Sequence, residues 1–253
     1  MPDLNSTYHV HRTALIDADY IAFQTAAWAQ SHQMDEEEMT TRLLETLGLW
    51  IDMACASDAI LFFSGPREEC FRRKEYPAYK ANRTAPKPEL LGVAWNVLKD
   101  TEFSWHCMPH VEADDLLGIV MTNGKVVNPV CVSRDKDLRQ VPGWHLNPFV
   151  DDFPVFVTEE EADRVFHSQW LSGDSVDGFP GIRGTGPKKA EKLLSGVPAD
   201  KLTSTALKAY EDAGQTLEDA LKQARCARIL RASDWDPKTK EPVLWSPPSE
   251  TQQ

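Results

Sequence analysis

Short apolar runs that end at polar or acidic residues recur along the first half of the chain. Thr13-Ala-Leu-Ile-Asp17, Ala59-Ile-Leu-Phe-Phe63 and Pro129-Val-Cys-Val-Ser133 have the length and composition of buried strands, and Phe103 to Cys107 is a fourth candidate. Between them, apolar residues return every three to four positions. That spacing predicts helices over roughly 19–30, 40–54, 88–99 and 112–121. Strands alternating with helices predict an α/β fold whose sheet is mainly parallel, with helices on both faces. Ligands of such folds sit beyond the carboxyl ends of the strands. Asp17 and Asp135 lie at or just past two predicted strand ends.

The pattern changes near residue 155. Thr158 and Glu161 have the spacing of a capping box, and helices are predicted over 158–171, 187–195, 203–212 and 215–231 with no strand signal among them. The chain therefore divides into an α/β part over 1–155, a helical part over 156–245 and a polar tail over 246–253. The tail contains Pro247-Pro248 and is expected to be disordered. Trp28, Trp50, Trp95, Trp105 and Trp170 are expected in the core.

Composition narrows the class. The 253 residues suffice for one large domain or a core with an appendage. No apolar run approaches the roughly 18–20 residues of a membrane span, and Met1 to Val10 is polar, without the apolar core of a signal peptide. The five cysteines are scattered without a Cys-x-x-Cys pair, so neither a disulfide framework nor a zinc knuckle is supported, and a reducing cytoplasm is the expected setting.

The net charge of −12 argues at first against a polyanionic partner. Its distribution changes that picture. Residues 65–90 carry seven basic and four acidic groups and residues 183–208 six and two, whereas residues 110–177 carry thirteen acidic and five basic groups. An acidic middle flanked by basic segments suits a carboxylate metal site beside a polyanion track, although surface patchiness alone gives similar blocks.

Four acidic groupings stand out: Asp17, Glu112-Ala-Asp114-Asp115, Asp135-Lys-Asp137 and Asp174-Ser-Val-Asp177. Each by itself also reads as a helix cap or turn. Together they form a set in which three groupings adjoin elements that a parallel sheet brings to one edge. Eight converging carboxylates repel one another and raise their pKa values, a penalty that divalent cations remove. All-oxygen ligands favour Mg²⁺ or Mn²⁺ over zinc. Two such ions clamp the attacking and leaving oxygens in phosphodiester cleavage.

The most specific motif is Gly181-Ile-Arg183-Gly184-Thr-Gly186-Pro187-Lys188-Lys189-Ala190. The glycines permit a tight turn, Pro187 suits the first position of a helix, and the free N–H groups there suit a phosphate. This is a helix-hairpin-helix type of element, which grips a DNA backbone without reading bases. The loop's carbonyls also suit a monovalent cation. A nucleotide P-loop is excluded because its Gly-Lys-Ser/Thr signature is missing. In the other basic segment, Arg72-Arg73-Lys74 and Tyr76-Pro-Ala-Tyr79-Lys80-Ala-Asn-Arg83 interleave cations with aromatics, which suits single-stranded or frayed DNA.

In this order the motifs resemble those of the 5′-nucleases: flap endonucleases, the 5′-nuclease domain of bacterial DNA polymerase I, and phage 5′–3′ exonucleases. The matching segments are Leu-Ile-Asp17, Tyr79-Lys-Ala-Asn-Arg83, Val-Glu112-Ala-Asp114-Asp115, Ser-Arg-Asp135-Lys-Asp137 and Gly-Asp174-Ser-Val-Asp177 with the glycine loop that follows. Gln223 to Arg231 and Leu244-Trp245 are similar to the end of the short phage exonucleases. The resemblance implies a PIN-like core, an arch near 66–90 and a helix-three-turn-helix DNA-binding element. It implies metal-ligand roles for Asp17, Glu112, Asp114, Asp115, Asp135, Asp137, Asp174 and Asp177. It implies phosphate contacts for Lys80 and Arg83, a stacking role for Tyr79, and a further catalytic arginine in Arg72. DNA contacts fall to Gly181, Arg183, Gly184, Gly186, Lys188 and Lys189.

The activity implied is Mg²⁺-dependent 5′–3′ hydrolysis of DNA at a 5′ end, flap or nick, with RNA–DNA hybrids as a second implied substrate. The implied setting is phage replication in the host cytoplasm, by a monomer without membrane attachment. Two other readings stay open, a PIN-type ribonuclease and a non-catalytic DNA-junction binder. The family also carries an Asp just after its second strand. Here Ser64-Gly65-Pro66 follows Phe63, so that acid is absent or supplied by Glu68 or Glu69.

Overall fold

The computed structural model describes residues 11–248. The polar stretch Met1 to Val10 and the tail beyond residue 248 lie outside the described residues.

The predicted order of elements is found. β1 (Thr13–Asp17) leads into α1 (Ala18–Ser31) and α2 (Glu36–Met53), then β2 (Asp58–Phe63) and the short α3 (Phe71–Glu75). Next come α4 (Leu91–Lys99), β3 (Ser104–Cys107), α5 (Ala113–Thr122) and β4 (Pro129–Val132). Two strands escaped prediction, β5 (Gly143–Leu146) and β6 (Val155–Val157), both too short to show a period. The second part holds α6 (Glu159–Ser172), α7 (Pro187–Leu194), α8 (Leu202–Asp212) and α9 (Leu217–Ala227). A two-stranded ribbon of β7 (Trp235–Asp236) and β8 (Glu241–Pro242), also unpredicted, follows.

The six-stranded sheet runs β3-β2-β1-β4-β5-β6, parallel throughout except that β6 is antiparallel to β5. Alternation along β1 divides the core. Ala14 and Ile16 pack with α1, α2 and α4 on one face, while Leu15 faces α5 on the other. A third cluster, centred on Trp170, Phe166, Tyr210 and Phe179, fills the helical part and includes Cys70 and Tyr79 from the basic segment.

Local deviations have local causes. α2 begins at Glu36 because Asp35 and Glu38 form a capping box, in a first turn too acidic to carry an apolar period. α9 ends at Ala227, short of the predicted 231, because Ile229 and Leu230 leave the helix to pack against α5. The tryptophan expectation holds for Trp50 and Trp170 and fails for Trp105, which is 43% exposed on the edge strand β3; Trp28 and Trp95 are half-buried. The segment 66–90 is not a long helical arch. It carries one 3₁₀ turn at Arg67–Glu69 and α3; Cys70 and Tyr79 pack into the third cluster, while residues 81–87 are exposed.

Candidate active site

β1 and β4 are paired parallel neighbours, with Ile16 opposite Val132, so Asp17 and the Ser133–Asp137 turn emerge at one edge. Asp17 caps α1, accepting the Tyr20 N–H at 3.0 Å on Oδ1 and the Ser133 hydroxyl at 3.1 Å on Oδ2. The same Ser133 oxygen accepts the Asp135 N–H at 3.1 Å, and Asp135 accepts the Asp137 N–H at 2.9 Å. Gln169 of α6 donates to Asp137 at 2.6 Å, which ties the helical part to this edge.

The next acids arrive on α5. Gly65 follows β2 where any Cβ would meet the Met108 carbonyl oxygen at 2.2 Å, so only glycine allows this close approach. It lets the Ser64 hydroxyl accept the Ala113 N–H at 3.0 Å at the start of α5. Glu112, Asp114 and Asp115 then place ligand oxygens within 4.8 Å of one another. Asp115 is fully buried, and both its oxygens accept from Arg72 at 2.6 Å. It also accepts the Leu230 N–H at 3.1 Å, linking α5 to the segment after α9.

The third contribution comes from the loop between α6 and α7. Gly181 has φ of 61°, and a Cβ there would lie 2.3 Å from the Gly173 nitrogen, so the loop ends can cross only as glycines. Asp174 accepts the Val176 and Asp177 N–H groups at 2.6 and 3.1 Å. Asp177 faces the basic segment: Arg83 donates to it at 2.6 Å and Lys80 Nζ lies at 3.6 Å. Lys80 also donates to Glu112 at 2.6 Å.

Electrostatics separate these carboxyls into two kinds. Burial alone would raise Glu112, but the Lys80 ammonium and the Arg72 guanidinium hold it down to about 2. Asp17, Asp114, Asp135 and Asp137 have no ion-pair partner among the described residues. Burial, followed by the nearby Asp19 and Asp135, pushes Asp17 up to about 7. Burial and Asp135 push Asp137 up to about 6. Asp114 is raised by burial, Asp115 and Glu112, and Asp135 by burial, Asp177 and Asp174. A set of desolvated, mutually repelling oxygen donors with few cations of its own fits hard divalent ions.

The structure brings Asp17, Glu112, Asp114, Asp115, Asp135, Asp137, Asp174 and Asp177 toward one edge of the sheet, with Lys80 and Arg83 beside them and Asp115 turned inward to Arg72. Two expected roles are corrected. Tyr79 is 2% exposed and donates its hydroxyl to Glu112 at 2.8 Å and Asp177 at 3.1 Å, so its ring is not free to stack on a base. Arg72 is 1% exposed and bonds Asp115 and the carbonyls of Cys226 and Arg228, so it orients an acid and does not meet a phosphate. Residues that sequence reasoning passed over are Ser133, Gln169 and Asp19. Asp19 accepts the Ser64 N–H at 2.8 Å, and the Asp-x-Asp spacing at the end of β1 was its only signal.

The glycine loop leads into α7 with Gly186 as N-cap and Pro187 at the first position, as expected. Arg183, Gly184, Gly186, Lys188 and Lys189 are exposed, while Gly181 and Thr185 are buried. Ala190 and Leu194 anchor the helix in the core below.

The sequence profile of the family described as 5′-3′ exonuclease, N-terminal resolvase-like domain, matches residues 12–165. The exonuclease of Escherichia phage T7 is 29% identical over 213 residues, covering 69% of this chain and 70% of the phage protein. DNA polymerase I of Rhizobium leguminosarum is 34% identical over 137 residues, 49% of this chain and 14% of the polymerase. A flap endonuclease Xni of Shewanella baltica is 27% identical over 175 residues, 64% of this chain and 66% of that protein. Among solved structures, the T5 5′-exonuclease with bound zinc superposes with a TM-score of 0.62 at 15% identity, over 86% of this chain and 93% of that one. The T5 flap endonuclease in a pseudo-enzyme–product complex with DNA and metal ions does so with a TM-score of 0.62 at 15% identity, over 85% and 91%. The profile match spans more than half of the chain, from β1 through the first half of α6: the chain belongs to the 5′–3′ exonuclease family of nucleases.

Proposed function

We propose that the chain is a Mg²⁺- or Mn²⁺-dependent 5′–3′ exodeoxyribonuclease that also cleaves at flaps and nicks. One observation carries this reading: desolvated carboxylates from β1, α5, the turn after β4 and the loop after α6 share an edge with Lys80 and Arg83. A non-catalytic DNA binder has no use for such a set, because ionised acids only repel the backbone. The helix-hairpin type of element at 181–194 argues against a small PIN-type ribonuclease, which lacks that extension.

Asp17, Glu112, Asp114, Asp135, Asp137, Asp174 and Asp177 would hold two ions, with Asp115 in the same cluster and braced by Arg72. When bound, the ions supply charge at the scissile phosphate and an activated water. The residues of the chain do the rest. Lys80 and Arg83 stabilise charge growing on the phosphate oxygens. Tyr79 and Arg72 fix the orientations of Glu112 and Asp115. The water oxygen bonds to phosphorus, the bond from phosphorus to the 3′ oxygen breaks, and the products are a 5′-phosphate and a 3′-hydroxyl.

Arg183, Lys188, Lys189 and the N–H groups opening α7 grip the duplex backbone as a helix-hairpin-helix element, and carbonyls of the 181–186 loop suit a monovalent cation. In this reading the protein is a monomer acting in phage genome replication in the host cytoplasm, with RNA in RNA–DNA hybrids as a second substrate; similarity to the phage exonucleases supports the phage setting. Among the described residues no helix is long and apolar enough to cross a membrane.

Digestion of 5′-labelled duplex, flap and single-stranded DNA with Mg²⁺ or with excess EDTA tests the reading. Release of short labelled products with Mg²⁺ alone is expected. Equal turnover in EDTA, or hydrolysis of RNA but not DNA, would reject it.

A further inference from the structure

The family's Asp after the second strand is missing here, and neither proposed substitute reaches the place. Glu68 is exposed, and Glu69 stands beside His110, with 4.0 Å between Glu69 Oε2 and His110 Nδ1. Among the described residues, neither makes a side-chain hydrogen bond to an acid of the site. Ser64 cannot replace the acid either, since its hydroxyl is taken up at the start of α5.

A different carboxylate stands at that place. Asp19 lies in the first turn of α1, two residues after Asp17, and reaches across from β1 to the end of β2. Its Oδ2 accepts the Ser64 N–H at 2.8 Å, a contact between residues 45 apart in sequence. β1 and β2 are paired in parallel register, with Asp17 opposite Phe62, so an acid entering from α1 and an acid on residue 64 approach the same volume. The side chain also sits within the fields of Asp17 and Glu112. Lys87 is close enough to favour its ionised form but makes no ion pair with it. Oδ2 is held by the Ser64 backbone at 2.8 Å, and the Ser64 hydroxyl also lies close enough to support the ionised carboxylate.

From this geometry we infer that Asp19 is a metal-site ligand, taking the place of the carboxylate missing at Ser64. The inference rests on the metal-dependent nuclease reading above. The arrangement divides one task between two residues: Ser64 orients α5 and Asp19 carries the negative charge. Mg²⁺ gives up its water reluctantly and needs anionic ligands to offset the loss, so an acid moved from one strand end to its neighbour keeps the site's charge.

The test is direct binding of Mn²⁺ to the full chain without DNA, read by electron paramagnetic resonance and calorimetry. Asp19→Asn keeps an oxygen for the Ser64 N–H, so the fold should persist, which thermal melting in EDTA checks. We expect Asp19→Asn to weaken one Mn²⁺ by about 10–100-fold, the range for removing a group that supports a metal site. Adding Ser64→Asp to Asp19→Asn should recover most of that affinity. Asp114→Asn serves as the control. If the unaltered chain binds no Mn²⁺, the metal reading and this inference fall together. If the chain binds Mn²⁺ and Asp114→Asn loses it while Asp19→Asn titrates like the unaltered chain, only the Asp19 assignment is overturned. A folded Asp19→Asn protein that Ser64→Asp does not rescue overturns the shared location.

Discussion

Lys80 Nζ lies 2.6 Å from Glu112 Oε1, so a cation of the basic segment is paired with a carboxylate of the proposed metal site, 32 residues away. The two are mostly buried, at 13% and 17% side-chain exposure. Glu112 is held low by this ammonium and by Arg72, and Lys80 is itself raised by Glu112, Asp114 and Asp177, which outweigh the effect of burial. Metal and Lys80 therefore draw on the same negative charge.

It follows that Lys80→Met should separate chemistry from metal binding. Single-turnover cleavage should fall by about 10²–10³-fold, the cost of removing one positioned charge-stabilising donor. Mn²⁺ affinity measured by calorimetry should stay equal or tighten, since a competing cation is gone. Metal affinity that weakens in step with the rate would make Lys80 a scaffold residue.

Arg72→Ala should act on stability. It leaves Asp115 buried and unpaired and frees the Cys226 and Arg228 carbonyls. Breaking a buried ion pair from one side costs about 3–5 kcal/mol. At about 2–4 °C per kcal/mol for a chain of this size, Tm should drop by roughly 6–20 °C. An unchanged Tm with lost cleavage would instead return Arg72 to the substrate.

The metal-free protein should lose stability as pH rises. Asp17 stands at about 7 in the fold against 3.8 as a free side chain, and Asp137 at about 6. The folded state thus holds these protons more tightly than the unfolded chain, so this contribution is largest below about pH 4 and disappears by about pH 7. Glu112 has the opposite sign: its stabilisation is complete above 4.5 and is lost as pH falls toward 2. Urea midpoints in EDTA should therefore fall between about pH 5 and pH 7, and saturating Mg²⁺ should restore them by binding the ionised acids. A flat profile in EDTA would contradict the burial of Asp17.

Asp17→Ala and Asp114→Ala should abolish cleavage while leaving a folded protein that still binds DNA. A gel-shift titration beside the cleavage assay checks this. Loss of DNA binding together with cleavage would mean that these acids organise the fold and do not serve the reaction.

Lys188→Ala combined with Lys189→Ala should weaken duplex binding and reduce its salt slope by about 0.9 for each phosphate that is no longer neutralised. Cleavage at saturating protein should change less. A slope that does not move would remove the 181–194 element from the DNA interface.

Much of the molecule was determined locally. The strands of the parallel core are short apolar runs bounded by acids and turns, and Thr158 with Glu161 marked the start of α6 because capping depends on neighbours three residues apart. The acids, Lys80 and Arg83 were equally readable, since motif spacing survives in one dimension. The tertiary structure decided what each of them touches. Tyr79 and Arg72 sit in a basic, aromatic segment that reads as surface, yet packing against α5 and α9 buries them beneath Glu112 and Asp115. Strand β5 exists because β4 offers it an edge, and β6 because β5 then offers one in turn, partners that four- and three-residue runs cannot announce. Asp19 acquires its place only when parallel pairing of β1 and β2 brings it to the Ser64 amide: the chemistry of a side chain is written locally, but its protonation, partners and exposure are set by residues far away in sequence.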